Sequence, residues 1–307
     1  MRVFVTGATG VLGRRVVPLL VGAGYAVTAV AQSEEKAALA RKLGAEPAKV
    51  DLFALAAVRA AVEGHGVVIN LATKIPSPSR AARPSAWSEN NRIRCEASRN
   101  LVDASLGAGV ERFVQESIAF IYPDCGDRWI DEDVALDPPV LARATQVAEA
   151  QAGRFTKAGG IGVVLRFGQF YAWESVHSQY MHQMARWRLP ALPGPKNAYA
   201  PAIAAEDAAT AVVAALDVPA GIWNVSDDEP LTRQAFHRAL ADALGVKAPL
   251  TTGTTLLRLT NSTRFYLRSQ RVSNRRFKEA TGWSPRYPDA GTGWRAMIAT
   301  THADKRG

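Results

Sequence analysis

The hydrophobic positions change period at short intervals along the first half of the chain. Apolar residues run unbroken from Val3 to Val5 and stop at Thr6; Val11, Leu12, Val16, Val17, Leu19 and Leu20 then recur at helical spacing. A short continuous run followed by a 3.6-residue period predicts a buried strand and then an amphipathic helix. The alternation continues with a strand from Ala26 to Ala31, a helix from Ser33 to Leu43 with Ser33 as its N-cap, and a strand ending at Val50. A helix from Leu55 to Val62, a strand from Gly66 to Leu71 and a long helix from about Ser88 to Ala108 follow, then strands at Glu111 to Gln115 and Gly162 to Phe167. Strands alternating with helices predict a parallel sheet covered on both faces. The second half loses this rhythm. It predicts a helix from Ser178 to Arg188, a proline-rich turn from Leu189 to Pro195, a helix from Ala205 to Leu216 and a strand from Gly221 to Val225. A last helix starts at Thr232, with Phe236, Ala239, Leu240 and Leu244 on one face. The expected architecture is α/β, a doubly wound parallel sheet with a smaller C-terminal lobe. Residues 1–170, with contributions from about 200–226, would form the sheet domain, and 171–307 mainly the lobe.

The junction between the first strand and the first helix carries Gly7, Gly10 and Gly13 in the run TGATGVLG. Glycine permits a left-handed turn and lets a ligand reach the main chain, while the helix N-terminus offers free N–H groups and partial positive charge. In that context the turn reads as a pyrophosphate cradle of Rossmann type, spaced G-x-x-G-x-x-G rather than G-x-G-x-x-G. Gly7, Thr9, Gly10, Val11, Leu12, Gly13 and Arg14 are the expected contacts. Arg14 opposes the helix dipole, which an anion would relieve.

Composition narrows the classes. The chain has 307 residues, 48% of them hydrophobic, enough for one large or two modest domains. It has no long apolar run, and the glycine turn starts too early to leave room for a signal peptide, so a cytoplasmic protein without a membrane span is expected. Cys95 and Cys125 have neither disulfide nor metal spacing, and no metal site is expected. The net charge of +9 comes from scattered arginines with no basic and aromatic stripe, which argues against nucleic acid and for a general arginine excess with a few anion contacts.

With these elements in place the chain resembles the extended short-chain dehydrogenase/reductase family, the NAD-dependent epimerases and dehydratases. The segments that carry the resemblance are TGATGVLG, Asp51-Leu52, Asn70-Leu71-Ala72, SRNLVDASLGAGVERFV, LRFGQFY, EDAATAVVAAL and GIWNVSDDEPLT. It implies a nicotinamide coenzyme held by the glycine turn, by Asp51 and Leu52 at the adenine, and by Leu71, Ala72 and Thr73 beside the nicotinamide ribose. It also implies a small-molecule substrate, and homodimerisation through the helices near residues 90–108 and 140–157. NAD-specific members end the second strand on an acid, whereas here that stretch reads Ala31-Gln32-Ser33. Gln32, Ser33, Lys36 and Arg14 suit a 2′-phosphate, so NADP(H) is favoured over NAD(H).

The family's proton chemistry is missing. Its Y-x-x-x-K pair falls on Leu141 and Thr145 when Glu149 is aligned with the acid that follows it, and its second serine falls on Ile118. Arg94 stands where the relay asparagine belongs. Ser117 and Tyr122 remain as candidate catalytic hydroxyls. Trp87, Arg94, Phe120, Trp129, Tyr171 and His177 are candidate substrate contacts, and the aromatics favour a largely apolar substrate. Three readings stay open: an oxidoreductase on a carbonyl or alcohol using other groups, a non-redox enzyme using such residues as Glu116, Asp131, His177 or His182, and a coenzyme-binding regulator without turnover.

Overall fold

The amino-terminal apolar run forms strand β1 (Arg2–Thr6), and its alternation serves two cores: Val3 and Val5 pack on one face of the sheet and Phe4 on the other. The computed structural model describes residues 1–249 and 264–304. The other strands are β2 (Ala26–Val30), β3 (Glu46–Ala48), β4 (Val67–Asn70), β5 (Arg112–Ile118), β6 (Trp129–Ile130), β7 (Ile161–Phe167), β8 (Gln169–Tyr171), β9 (Ala202–Ala204), β10 (Gly221–Val225) and β11 (Arg271–Val272). The helices are α1 (Gly13–Gly22), α2 (Glu34–Lys42), α3 (Leu55–Val62), α4 (Ser88–Arg92), α5 (Ser98–Gly107), α6 (Arg143–Lys157), α7 (Val176–Arg186), α8 (Ala205–Ala214), α9 (Arg233–Leu244), α10 (Arg275–Thr281) and α11 (Ala290–Asp304).

Among the described residues the main sheet has seven parallel strands in the order β10-β7-β5-β4-β1-β2-β3. The chain winds outward in both directions from β1, so the β1 and β4 carboxyl ends form a crevice. Helices α3, α5 and α6 cover one face through Val58, Leu101 and Phe155. Helices α1 and α8 cover the other through Val16, Leu20 and Val212. Phe277 and Trp283, far along the chain, also join this core. Part of the tail therefore belongs with the sheet, although its segment was expected in the lobe.

Three expected elements shift. Strand β5 runs three residues further, because Glu116, Ser117 and Ile118 pair with Leu165, Arg166 and Phe167 of β7. Helix α7 starts two residues earlier, where the Ser175 hydroxyl accepts from the Ser178 N–H at 3.1 Å. The long helix is continuous but carries a π turn at Ile93–Ala97, a widening frequent at functional sites.

The lobe has its own core of Tyr171, Met181, Phe236, Leu240 and Trp294. His182 is buried there between Trp173 (ring centroids 4.7 Å apart) and Trp294 (5.1 Å), and its Nε2 finds no hydrogen-bond partner among the described residues. Burial lowers its pKa from 6.5 to about 4. The unfolded chain takes up this proton near the ordinary value and the folded chain does not, so stability falls as pH drops through the unfolded pKa, by about 1 kcal/mol between pH ~7 and ~5.5. His182→Phe should remove that loss. Its stability advantage in urea unfolding is expected to be about 1 kcal/mol larger at the lower pH; an equal difference at both would contradict a ring buried neutral.

Candidate active site

The glycine turn divides its three tasks. Gly7 has φ +66°, and a Cβ there would lie 2.4 Å from the Leu71 carbonyl oxygen, so this glycine makes the turn and lets β1 and β4 close together. A Cβ on Gly13 would lie 2.2 Å from the Gly7 oxygen, so this one lets the helix meet the strand. Gly10 is exposed, and a Cβ there would meet only the Gly7 oxygen, at 3.2 Å. Packing alone does not demand glycine at this position; a cradle that a ligand's phosphates approach does. The residues present thus fit a dinucleotide. Arg14 folds back over the turn, donating to the Gly10 and Thr9 carbonyls at 3.3 Å.

The other expected coenzyme contacts lie past the carboxyl ends of neighbouring strands, which the parallel register brings to one edge. Gln32, Ser33 and Lys36 follow β2, Asp51 and Leu52 follow β3, and Leu71, Ala72 and Thr73 follow β4. Gln32 donates to the Val50 carbonyl at 2.5 Å, and Asp51 accepts from the Phe53 N–H at 2.9 Å. A hollow of about 320 Å³ opens beside Gln32 and Ser33, walled by Glu34, Arg41 and Lys49. Arg41 and Lys49 escaped sequence reading, because only the pairing of β2 with β3 brings Lys49 to this corner.

The candidate catalytic hydroxyls are both committed elsewhere. Ser117 is fully buried and donates to Glu149 at 2.5 Å. Arg166 grips the same carboxylate with Nε and Nη2 at 2.9 and 2.7 Å. Tyr122, also fully buried, accepts from Arg166 Nη1 and donates to Asn224, each at 2.8 Å. Burial pushes the Tyr122 hydroxyl up to about 12 against the pull of Arg166. Both hydroxyls expected to serve the chemistry are thus hydrogen-bonded within the fold, and together they tie β5, α6, β7 and β10. Glu149 and Arg166 were visible only as family markers; their partnership needed the register of β5 on β7.

Arg94, on the π turn, is buried and paired with Glu116 of β5, Nη2 lying 2.8 Å from Oε2. Burial pushes the Glu116 carboxyl up, and Arg94 counters only part of the rise. Of the expected substrate contacts, Phe120 is half-buried and Trp87 donates to the Ala81 carbonyl at 2.8 Å. His177 Nε2 lies 3.2 Å from the Pro76 carbonyl, a contact between α7 and the segment after β4. Two expectations change: Tyr171 is fully buried against Trp294 and Asp227, and Trp129 is 48% exposed under the Arg271 guanidinium, on the small β6–β11 pair. Of the residues expected at the family's serine, tyrosine and lysine positions, Ile118 is half-buried, and Leu141 and Thr145 are buried. Among the described residues no group of three or more metal-ligating side chains comes together, and no helix is long and apolar enough to cross a membrane.

The model of the NAD-dependent epimerase/dehydratase family matches residues 3–226. The chain belongs to this family. The family assignment carries a pyridine-nucleotide site and an enzyme of the extended reductase type, in agreement with the open glycine cradle. A relative, the "3-diazoavenalumate denitrifying reductase" of a Streptomyces species, is 31% identical over 300 residues, spanning 94% of this chain and 97% of its own. Two solved structures share the fold across nearly the whole of both chains. The human epimerase family protein SDR39U1 with NADPH has a TM-score of 0.80 at 22% identity, covering 97% of this chain and 99% of that one. UDP-glucose 4-epimerase of Thermus thermophilus with NAD has a TM-score of 0.78 at 22% identity, covering 98% and 99%.

Proposed function

We propose that this protein is an NADPH-dependent reductase of a small, flat, largely apolar acceptor that takes a hydride without a proton from the enzyme. The observation that carries this reading is the loss of every proton donor from the family's catalytic positions, with the neighbouring hydroxyls of Ser117 and Tyr122 locked in a buried network. When bound, the reduced coenzyme supplies a hydride. A carbonyl acceptor would be left as an alkoxide and would need an acid beside it. A diazonium carbon would not: R–N₂⁺ plus H⁻ gives R–H and N₂, with atoms and charge balanced. The diazo substrate and the denitrifying outcome in the name of the Streptomyces relative support this class. Ile118, Phe120 and Leu141 would offer the acceptor apolar surface and exclude water.

Preference for the 2′-phosphate rests on the corner beside β2. No acid ends that strand, and Arg41 and Lys49 face the hollow. Among the described residues Arg41 is held by an exposed pair with Glu34 at 2.8 Å, an interaction weak enough for a phosphate to replace.

The test is turnover under anaerobic conditions with NADPH or NADH, offering an arenediazonium salt or the matching aryl aldehyde, with protein-free controls. The expected result is nitrogen release matched to NADPH oxidation and no aldehyde reduction. The double substitution R41A/K49A should weaken NADPH binding about 10-fold or more and leave NADH unchanged. Aldehyde turnover without nitrogen release would overturn the acceptor class; tight NADPH binding with no turnover of either would favour a regulator.

A further inference from the structure

Arg15 is the second residue after the last turn glycine, and its side chain joins three parts of the molecule. Nη1 donates to the Val11 carbonyl of the glycine turn at 2.9 Å and lies 2.7 Å from Glu174 Oε1. Nε and Nη2 reach Glu206 Oε1 at 2.9 and 2.8 Å. Glu174 belongs to the short segment between β8 and α7, on the lobe side, and Glu206 to the first turn of α8. One guanidinium therefore holds a carbonyl of the turn, a carboxylate of the sheet domain and a carboxylate of the lobe. The Arg15 side chain is 17% exposed and its partners Glu174 and Glu206 are 38% and 42% exposed, so the pairs sit at the solvent edge, where salt reaches them. Partial burial raises the Glu174 carboxyl, but the hydrogen bond and charge of Arg15 outweigh it and leave it below its ordinary range; Arg14 adds to the same effect.

The neighbouring contact points the same way. Three residues beyond Glu174, His177 meets the Pro76 carbonyl after β4. Residues 174–177 are thus tied at one end to the glycine turn and at the other to the nicotinamide side of the crevice. The segment is therefore fastened beside the turn that would hold a dinucleotide's pyrophosphate.

We propose that Arg15 is a positioning residue that clasps the lobe segment around Glu174 over the coenzyme turn and thereby sets the rate of coenzyme release. The clasp rests on the coenzyme reading of the site, but it adds a kinetic property that the reading does not contain. Because the grip is ionic, salt weakens it. Because Glu174 lies outside the expected coenzyme and substrate contacts, neutralising it opens the clasp and leaves the cradle in place.

The experiment compares wild type with Glu174→Gln. Coenzyme release is followed by stopped-flow fluorescence as NADPH is displaced by excess NADP⁺, at low and high salt. Amide exchange of residues 172–178 is measured in the coenzyme-free protein. The expected result is about 10-fold faster release in the variant, loss of the salt dependence seen in wild type, and faster exchange confined to that segment. Faster exchange with unchanged release would leave the pair a structural tie only and overturn the proposal, as would unchanged values in both measurements. Failure of wild type to bind either coenzyme would instead sink the coenzyme reading, and the clasp with it.

Discussion

Gly10→Trp is expected to lower NADPH affinity by at least about 100-fold and to leave the fold standing. The two halves of that expectation have separate causes. Gly10 is exposed and has no positive φ, and a Cβ there meets one carbonyl oxygen at 3.2 Å, which asks the Gly7 carbonyl to give by only a few tenths of an ångström. The indole would occupy the space in which the pyrophosphate approaches the turn and would keep it from the free N–H groups of α1. Gly13→Val is the contrasting substitution. Its Cβ would lie 2.2 Å from the Gly7 oxygen and 2.6 Å from the Ala8 Cα, so the helix and strand must separate and stability should fall with binding. Calorimetric titration beside thermal unfolding separates the two. Retained binding in Gly10→Trp would remove the coenzyme from this turn altogether.

Glu149→Ala is expected to cost about 3–5 kcal/mol of stability, the range for breaking one side of a buried ion pair. The carboxylate is 8% exposed and receives three hydrogen bonds, two from Arg166 and one from Ser117. Removing it strands a guanidinium that is only 3% exposed and loosens the hold of Arg166 on Tyr122. Adding Arg166→Met should recover most of the loss, since the uncompensated charge and not the missing attraction makes the single change costly. Urea unfolding of both singles and the double gives the coupling energy. A loss below about 1 kcal/mol in Glu149→Ala would show that water reaches the network.

Much of the sheet domain was legible because its signals are local. Helix α3 and strand β10 begin and end where the pattern places them, and Ser33 caps α2 as its side chain predicts, accepting from the Lys36 N–H. The end of β5 was not legible, since Glu116 and Ser117 are polar and only pairing with β7 extends the strand through them. The candidate site divides in the same way. The residues expected to meet the coenzyme follow strand ends and so fall at one edge of the sheet. The aromatic residues do not all line a cleft, because exposure depends on what packs over them: Trp294 covers Tyr171, and Arg271 stacks on Trp129.

By itself the sequence determined the alternating fold and the glycine turn. These depend on residue identity and short spacing, which hydrophobic period and backbone freedom convert directly into structure. Only the tertiary structure decided the partners of the charges. Arg94 chose Glu116 22 residues on, Arg166 chose Glu149, and Arg15 reached Glu206 191 residues away. A buried ion needs a counter-ion in the one place where strand register and helix docking bring it within reach, and no local pattern encodes that distance.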